Sequence, residues 1–246
     1  MGAGAGRLIS VSTAWWAHYL FDALAWGSAA LAARWQHRRF PEMSRRLEGQ
    51  TRTSYFIALA VGAVIGAWAF GTANTSGSGH FAPSHSVAGA LAGGIAAVEL
   101  WKWRAGITRS TGAAFVLPLA VGIAVGRLGC FFAGTVDFTF GTPTGLPWAV
   151  DLGDGVGRHP VQLYESAAMG LFALAYARAL IARQGWTREH AFHAFAIVYA
   201  AQRFAWEFVK PYPSVVGPLN LFHVLSLGML AYGIVWWQRG DRPAGA

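Results

Sequence analysis

Two arginines, Arg127 and Arg203, lie inside otherwise apolar stretches of the chain. A guanidinium near the centre of a bilayer costs about 3 kcal/mol even on lenient insertion scales, so such a residue is kept for a partner, a cavity or a function. Tyr199, Arg203 and Glu207 recur every four residues, which stacks a phenol, a guanidinium and a carboxylate on one helical face. Two readings follow. Arg203 and Glu207 can satisfy each other as an ion pair, or the two arginines can point into one cavity and grip a phosphate. Arginine suits the second role because its planar fork holds phosphate oxygens bidentately and never deprotonates.

A third polar group is the string Arg158-His159-Pro160-Val161-Gln162-Leu163-Tyr164-Glu165. Pro160 fits the first turn of a helix, where its missing N–H costs nothing. His159, Gln162 and Glu165 then recur every three residues and crowd one face at a membrane edge. With one cysteine, Cys130, no intrachain disulfide is possible, and its apolar surroundings suit a small buried side chain. The histidines are scattered and no Cys/His cluster has ligand spacing, so neither metal nor cofactor is expected.

The elements that must position these groups are membrane helices. Hydrophobic residues make up 54% of the chain and charged ones only 12%, about half the usual share for a soluble domain. Apolar stretches long enough to span are Ser10–Ala33, Tyr55–Thr72, His85–Trp103, Thr111–Phe132, Val161–Leu180, His190–Val209 and Leu219–Trp237. The first also contains His18 and Asp22 and has no small-residue cleavage site, which reads as a retained helix. The expectation is an all-α polytopic bundle of about seven transmembrane helices, forming one integral membrane domain over residues 1–246. Gly62/Gly66, Gly89/Gly93 and Gly122/Gly126 are each four apart, the spacing that lets helices pack closely.

Fourteen Lys and Arg residues fall on one side of these spans and three, Arg7, Arg158 and Lys210, on the other. The positive-inside rule then places the N-terminus outside and the C-terminus inside. The net charge of +8 is thus a topogenic signal and not a nucleic-acid footprint. Two of the outer connections stand out. Gly71–Ser84 is uncharged and Gly/Ser-rich, and Gly134–His159, before the fifth span, is long enough to serve as a lid or docking element.

Gly126-Arg127-Leu128-Gly129, His159-Pro160-Val161-Gln162-Leu163-Tyr164-Glu165 and Tyr199-x-x-x-Arg203-Phe-x-x-Glu207-Phe occur in order, with Leu225-Ser226 in the last span. Together they resemble the bacterial prolipoprotein diacylglyceryl transferases, most strongly over residues 85–238. The resemblance implies an enzyme of the bacterial cytoplasmic (inner) membrane, multi-pass, with its active site toward the extracytoplasmic side. Its donor would be phosphatidylglycerol and its acceptor a prolipoprotein lipobox cysteine. It implies catalytic roles for Arg127, Arg203, Tyr199 and His85, and substrate binding by Glu207, His159, Gln162, Tyr164, Glu165, Gly126 and Gly129. Tyr199 and His85 are the expected sources of the base.

The chain departs from the family pattern at identifiable places. A family His-Gly-Gly is His85-Ser86-Val87-Ala88-Gly89 here, an Asn is Cys130, a later Asn and Glu are Ala133 and Thr135, and a Gln is His223. A non-catalytic lipid-binding paralogue that keeps the arginines is the alternative; a transporter is disfavoured because no internal repeat is visible.

The charge asymmetry generates a topology prediction. A reporter fused after Ala246 should read cytoplasmic, and one inserted in Gly134–His159 extracytoplasmic. An extracytoplasmic C-terminus would overturn the odd number of spans.

Overall fold

The computed structural model describes residues 9–45, 52–77, 83–136 and 138–240. Arg7, Arg46 and Arg242 among the basic residues counted above, Asp137 of the Gly134–His159 connection and residues 78–82 of the Gly71–Ser84 connection lie outside the described residues. The chain is mostly helical. Its elements run β1 (Ile9–Ser10), α1 (Ala17–Arg39), α2 (Glu42–Arg45), α3 (Arg52–Gly77), α4 (Val87–Arg104), α5 (Val116–Ala133), β2 (Val150–Asp151), β3 (Gly157–Arg158), α6 (Val161–Ile181), α7 (Trp186–Glu189), α8 (Ala191–Glu207), β4 (Ser214–Val216), β5 (Leu219–Asn220) and α9 (Leu221–Arg239).

A long helix stands at each expected span. Among the described residues, three segments are long and apolar enough to cross a membrane by length and composition: Thr53–Gly77, Ala113–Ala133 and Leu221–Arg239. Several helix ends differ from expectation for local reasons. The first helix begins at Ala17, not Ser10, because Ile9 and Ser10 pair with Val150 and Asp151 and the Ala14 N–H is bound to the Phe132 carbonyl. The second runs on to Gly77, and in its last turns hydroxyls of Thr75 and Ser76 bond carbonyls one turn back. Ser86 caps α4, its Oγ accepting from the Gly89 N–H at 3.1 Å. Asn220 and His223 form a reciprocal capping box that starts α9.

The strictly all-α expectation is corrected by two small sheets, β1-β2-β3 and β4-β5. The first is formed by the long connection and the N-terminal strand, β1 parallel and β3 antiparallel to β2. Segments this short carry no period-two signal, so only their pairing reveals them.

The chain divides into two compact units. The first holds most of α1, with α5, α6, the three-stranded sheet and residues 208–211. In it Phe131, Val150 and Leu152 form a small core packed by Val11, Phe132, Phe140 and Leu163. Helix α1 lies on α5 where the glycines allow it: a Cβ on Gly129 would stand 2.6 Å from the Phe21 Cβ, and one on Gly122 3.4 Å from that of Ala29. Ser166 Oγ donates to the Ala124 carbonyl at 2.7 Å, tying α6 to α5.

The second unit is built on α3, α4, α8 and α9. Its α3 and α4 meet glycine to glycine, and a Cβ at Gly66 would collide with the Gly89 carbonyl oxygen, one at Gly93 with that of Gly62. Lys102 bonds Glu99 at 2.9 Å, and the Tyr232 hydroxyl donates to Glu99 at 2.9 Å, joining α4 to α9.

Gly66→Ala should therefore destabilise the second unit by about 1–3 kcal/mol, because the obstacle is rigid backbone. Gly27→Ala, where nothing lies within 4 Å, should leave stability unchanged or slightly raised. Thermal unfolding in detergent reads both.

Candidate functional site

Arg127 lies in the last turns of α5, after Gly126, and Glu165 in the first turns of α6. Arg127 Nε is 2.7 Å from Glu165 Oε2, and Lys210 Nζ donates to Glu165 Oε1 at 2.6 Å. Arg127, Glu165 and Lys210 are 8%, 1% and 4% exposed. One buried carboxylate thus carries two cations. The sequence reading counted Lys210 only as a topogenic charge; its bond to a buried carboxylate follows from chain path. Pro160 directly precedes α6, so Glu165 follows the helix start by only one turn. Pro211 bars helical continuation and forces Lys210 toward extended backbone. The Thr142 N–H then bonds the Val209 carbonyl at 2.8 Å and holds the segment in place.

Other residues expected here take distinct positions in the same unit. Gln162 is completely buried one turn before Glu165. Tyr164 is partly exposed and accepts a hydrogen bond from Trp148 Nε1 at 2.8 Å. His159 is partly exposed, its ring 6.4 Å from that of Tyr164, and its backbone closes against Gly141, where a Cβ would strike the His159 carbonyl. Gly126 and Gly129 face α1, Gly129 against Phe21. Cys130 is buried, its sulfur accepting from Arg127 Nη1 at 3.8 Å.

The loop above them is rigidly hydrogen-bonded. Asp151 Oδ1 accepts from the Gly153 and Gly155 N–H groups, each at 2.9 Å, with both glycines in the left-handed region. Arg158 Nε and Nη2 donate to Asp154 Oδ2 at 2.8 and 2.6 Å. The Arg158 guanidinium bonded to Asp154 holds its carboxyl below the ordinary carboxylate range.

In the second unit the stripe on α8 is buried throughout: Tyr199, Arg203 and Glu207. Arg203 Nε is 2.7 Å from Glu207 Oε1, and the guanidinium lies 5.1 Å over the Phe222 ring. Glu207 Oε2 accepts from Asn220 Nδ2 at 3.0 Å. Asn220 also caps α9, so its side chain joins the carboxylate to the helix start, a role that the sequence reading missed. The Tyr199 ring stacks on Phe195 at 6.0 Å. His85 stands exposed before the Ser86 cap, its ring edge-on to that of Trp68 with centroids 4.1 Å apart.

Helices able to cross a membrane, with a buried cation–carboxylate cluster in each unit, define an integral membrane protein. The family model for prolipoprotein diacylglyceryl transferase matches residues 7–239, and the chain belongs to that family. Among curated relatives, the phosphatidylglycerol–prolipoprotein diacylglyceryl transferase of Cupriavidus necator is 36% identical over 143 residues, covering 54% of this chain and 51% of the relative. The enzymes of that name from Methylococcus capsulatus and Nitratidesulfovibrio vulgaris are 34% and 36% identical, covering 60% and 63% of this chain and 58% and 60% of their own. The chain therefore spans between half and two thirds of the length of these relatives. No solved structure matches.

The trio generates a stability prediction. Glu165→Ala strands two buried cations and should cost about 3–5 kcal/mol, whereas Asp154→Ala, which breaks a more exposed pair, should cost about 1 kcal/mol or less. Equal shifts in thermal unfolding would show that the trio does not hold the fold.

Proposed function

We propose that this chain is a membrane transferase that moves the diacylglyceryl group of phosphatidylglycerol to an acceptor thiol, the lipobox cysteine of a prolipoprotein. Family membership supports the reaction class. The observation that carries the site is the second cation on Glu165: Arg127 and Lys210 share one carboxylate, so the buried trio has a formal charge of +1 and favours an anion beside it.

In the reaction the acceptor thiol loses its proton, the thiolate forms a C–S bond to the terminal glyceryl carbon, and the C–O bond to phosphate breaks. Glycerol phosphate leaves with the electron pair. Arg127 and, by the family motif, Arg203 are the guanidiniums we assign to the negative charge that grows on the leaving phosphate, an electrostatic contribution that strengthens away from water. Glu165 and Glu207 hold their respective guanidiniums. Tyr199, buried one turn before Arg203, and His85, at the head of α4, are the groups we assign to the thiol proton. His159, Gln162 and Tyr164 at the start of α6, with Gly126 and Gly129 on α5, complete the donor-binding side.

The same proposal places the protein in the bacterial inner membrane as a single domain of seven spans, N-terminus out and C-terminus in. Under that topology the C-terminal ends of α5 and α8 and the N-terminal ends of α6 and α9 all belong to the extracytoplasmic leaflet. Arg127, Arg203, Glu165 and Asn220 then lie toward the leaflet from which a secreted acceptor approaches.

The test is incubation of purified protein with phosphatidylglycerol and a lipobox peptide, read by mass spectrometry for the diacylglyceryl adduct and for glycerol phosphate. Arg127→Ala and Arg203→Ala should each reduce adduct formation by about a hundredfold or more, with Lys replacements rescuing only partly. If Arg203→Leu/Glu207→Leu is stable and still binds lipid at wild-type affinity, Arg203 is a structural partner of Glu207 and not a phosphate ligand.

A further inference from the structure

Gln162 is fully buried in α6, and neither its Oε1 nor its Nε2 has a hydrogen-bond partner among the described residues. A buried amide without partners is costly, and both of its atoms are orphaned here. It is not isolated from the charged trio. Gln162 and Glu165 are one turn apart on the same face of α6, and Glu165 binds Arg127 and Lys210.

The orphaned atoms select among ligand chemistries. Oε1 needs a donor and Nε2 needs an acceptor. A phosphate oxygen or an ester carbonyl only accepts, so either would leave Oε1 unsatisfied. An ammonium only donates, and it would meet the surplus positive charge of the trio. A hydroxyl does both, and a pair of neighbouring hydroxyls can satisfy the two amide atoms separately. From this, together with the anion preference of the trio, we infer that Gln162 is a specificity residue that reads the hydroxyls of a glycerol headgroup whose phosphate is held at Arg127. The inference rests on the phosphate-binding reading above and adds to it the means of telling phosphatidylglycerol from lipids that share its phosphate. A peptide group also donates and accepts, but it carries no anion to pair with the neighbouring cations.

Removing the amide separates ligand recognition from folding. Replacing Gln162 by Leu or Met deletes two orphaned polar atoms at similar volume, so the melting temperature should stay level or rise. Delipidated wild-type and variant proteins are titrated with short-chain phosphatidylglycerol, phosphatidic acid and phosphatidylethanolamine. The wild type should prefer phosphatidylglycerol to phosphatidic acid by about tenfold, the scale of one or two buried hydrogen bonds. Gln162→Leu and Gln162→Met should lose that preference while their affinity for phosphatidic acid stays within about twofold of wild type. An unchanged preference in either variant would mean that the amide meets only a buried water. Equal losses for both anionic lipids would make Gln162 a phosphate or packing residue. An intact lipid preference with weakened lipobox-peptide binding would assign it to the acceptor. Each of these outcomes overturns the inference. A wild type that binds neither anionic lipid above phosphatidylethanolamine would instead bring down the phosphate-binding reading itself.

Discussion

The constraint on which the site depends is that a charge removed from water must be matched nearby. Glu165 is the centre of that matching in the first unit, with Arg127 on one oxygen and Lys210 on the other. These three come from α5, α6 and the segment after α8, so a single carboxylate ties together parts of the chain that are far apart in sequence. Buried ion pairs are weak evidence for stability, since desolvation offsets much of the attraction. They fix position well, because each partner has nowhere cheaper to go.

Glu207 repeats the logic in the second unit with different neighbours. One oxygen pairs with Arg203 and the other accepts from Asn220, whose side-chain oxygen also caps α9 through the His223 N–H. Helix capping and charge pairing are therefore linked: a change at Asn220 disturbs both the start of α9 and the orientation of the Arg203 partner. The Phe222 ring under the guanidinium adds an apolar face that arginine tolerates and a lysine ammonium does not use as well.

Close helix approach supplies the rigid frame. Where glycines of α3 meet those of α4, and where Gly129 admits Phe21 of α1, the backbones come nearer than any Cβ would permit. Apolar side chains alone provide little net drive for association within lipid, so shape of this kind carries more of the packing than it would in a soluble core. The loop before α6 obtains its order differently. Paired short strands and the turns at Asp151 and Asp154 satisfy its backbone, and Arg158 is held between Asp154 and the Phe140 ring.

Sequence alone determined the helices and the family. A helix at each of the seven apolar stretches needed no knowledge of packing, and three of those helices are long and apolar enough to cross a membrane. The stripe Tyr199, Arg203 and Glu207 was legible because a fixed helical period puts residues four apart on one face, and the three motifs carried the family. The partners across elements were not legible. Nothing local in Lys210 distinguishes a topogenic lysine from one bound to a carboxylate forty-five positions earlier, and nothing in Asn220 announces that it will reach Glu207. The strands β1 to β3 were equally silent, since two-residue pairings have no period to read. Tertiary structure alone decided these points, for one physical reason: the energy of a buried polar atom depends on which atom it meets, and that meeting is set by how helices distant in sequence pack.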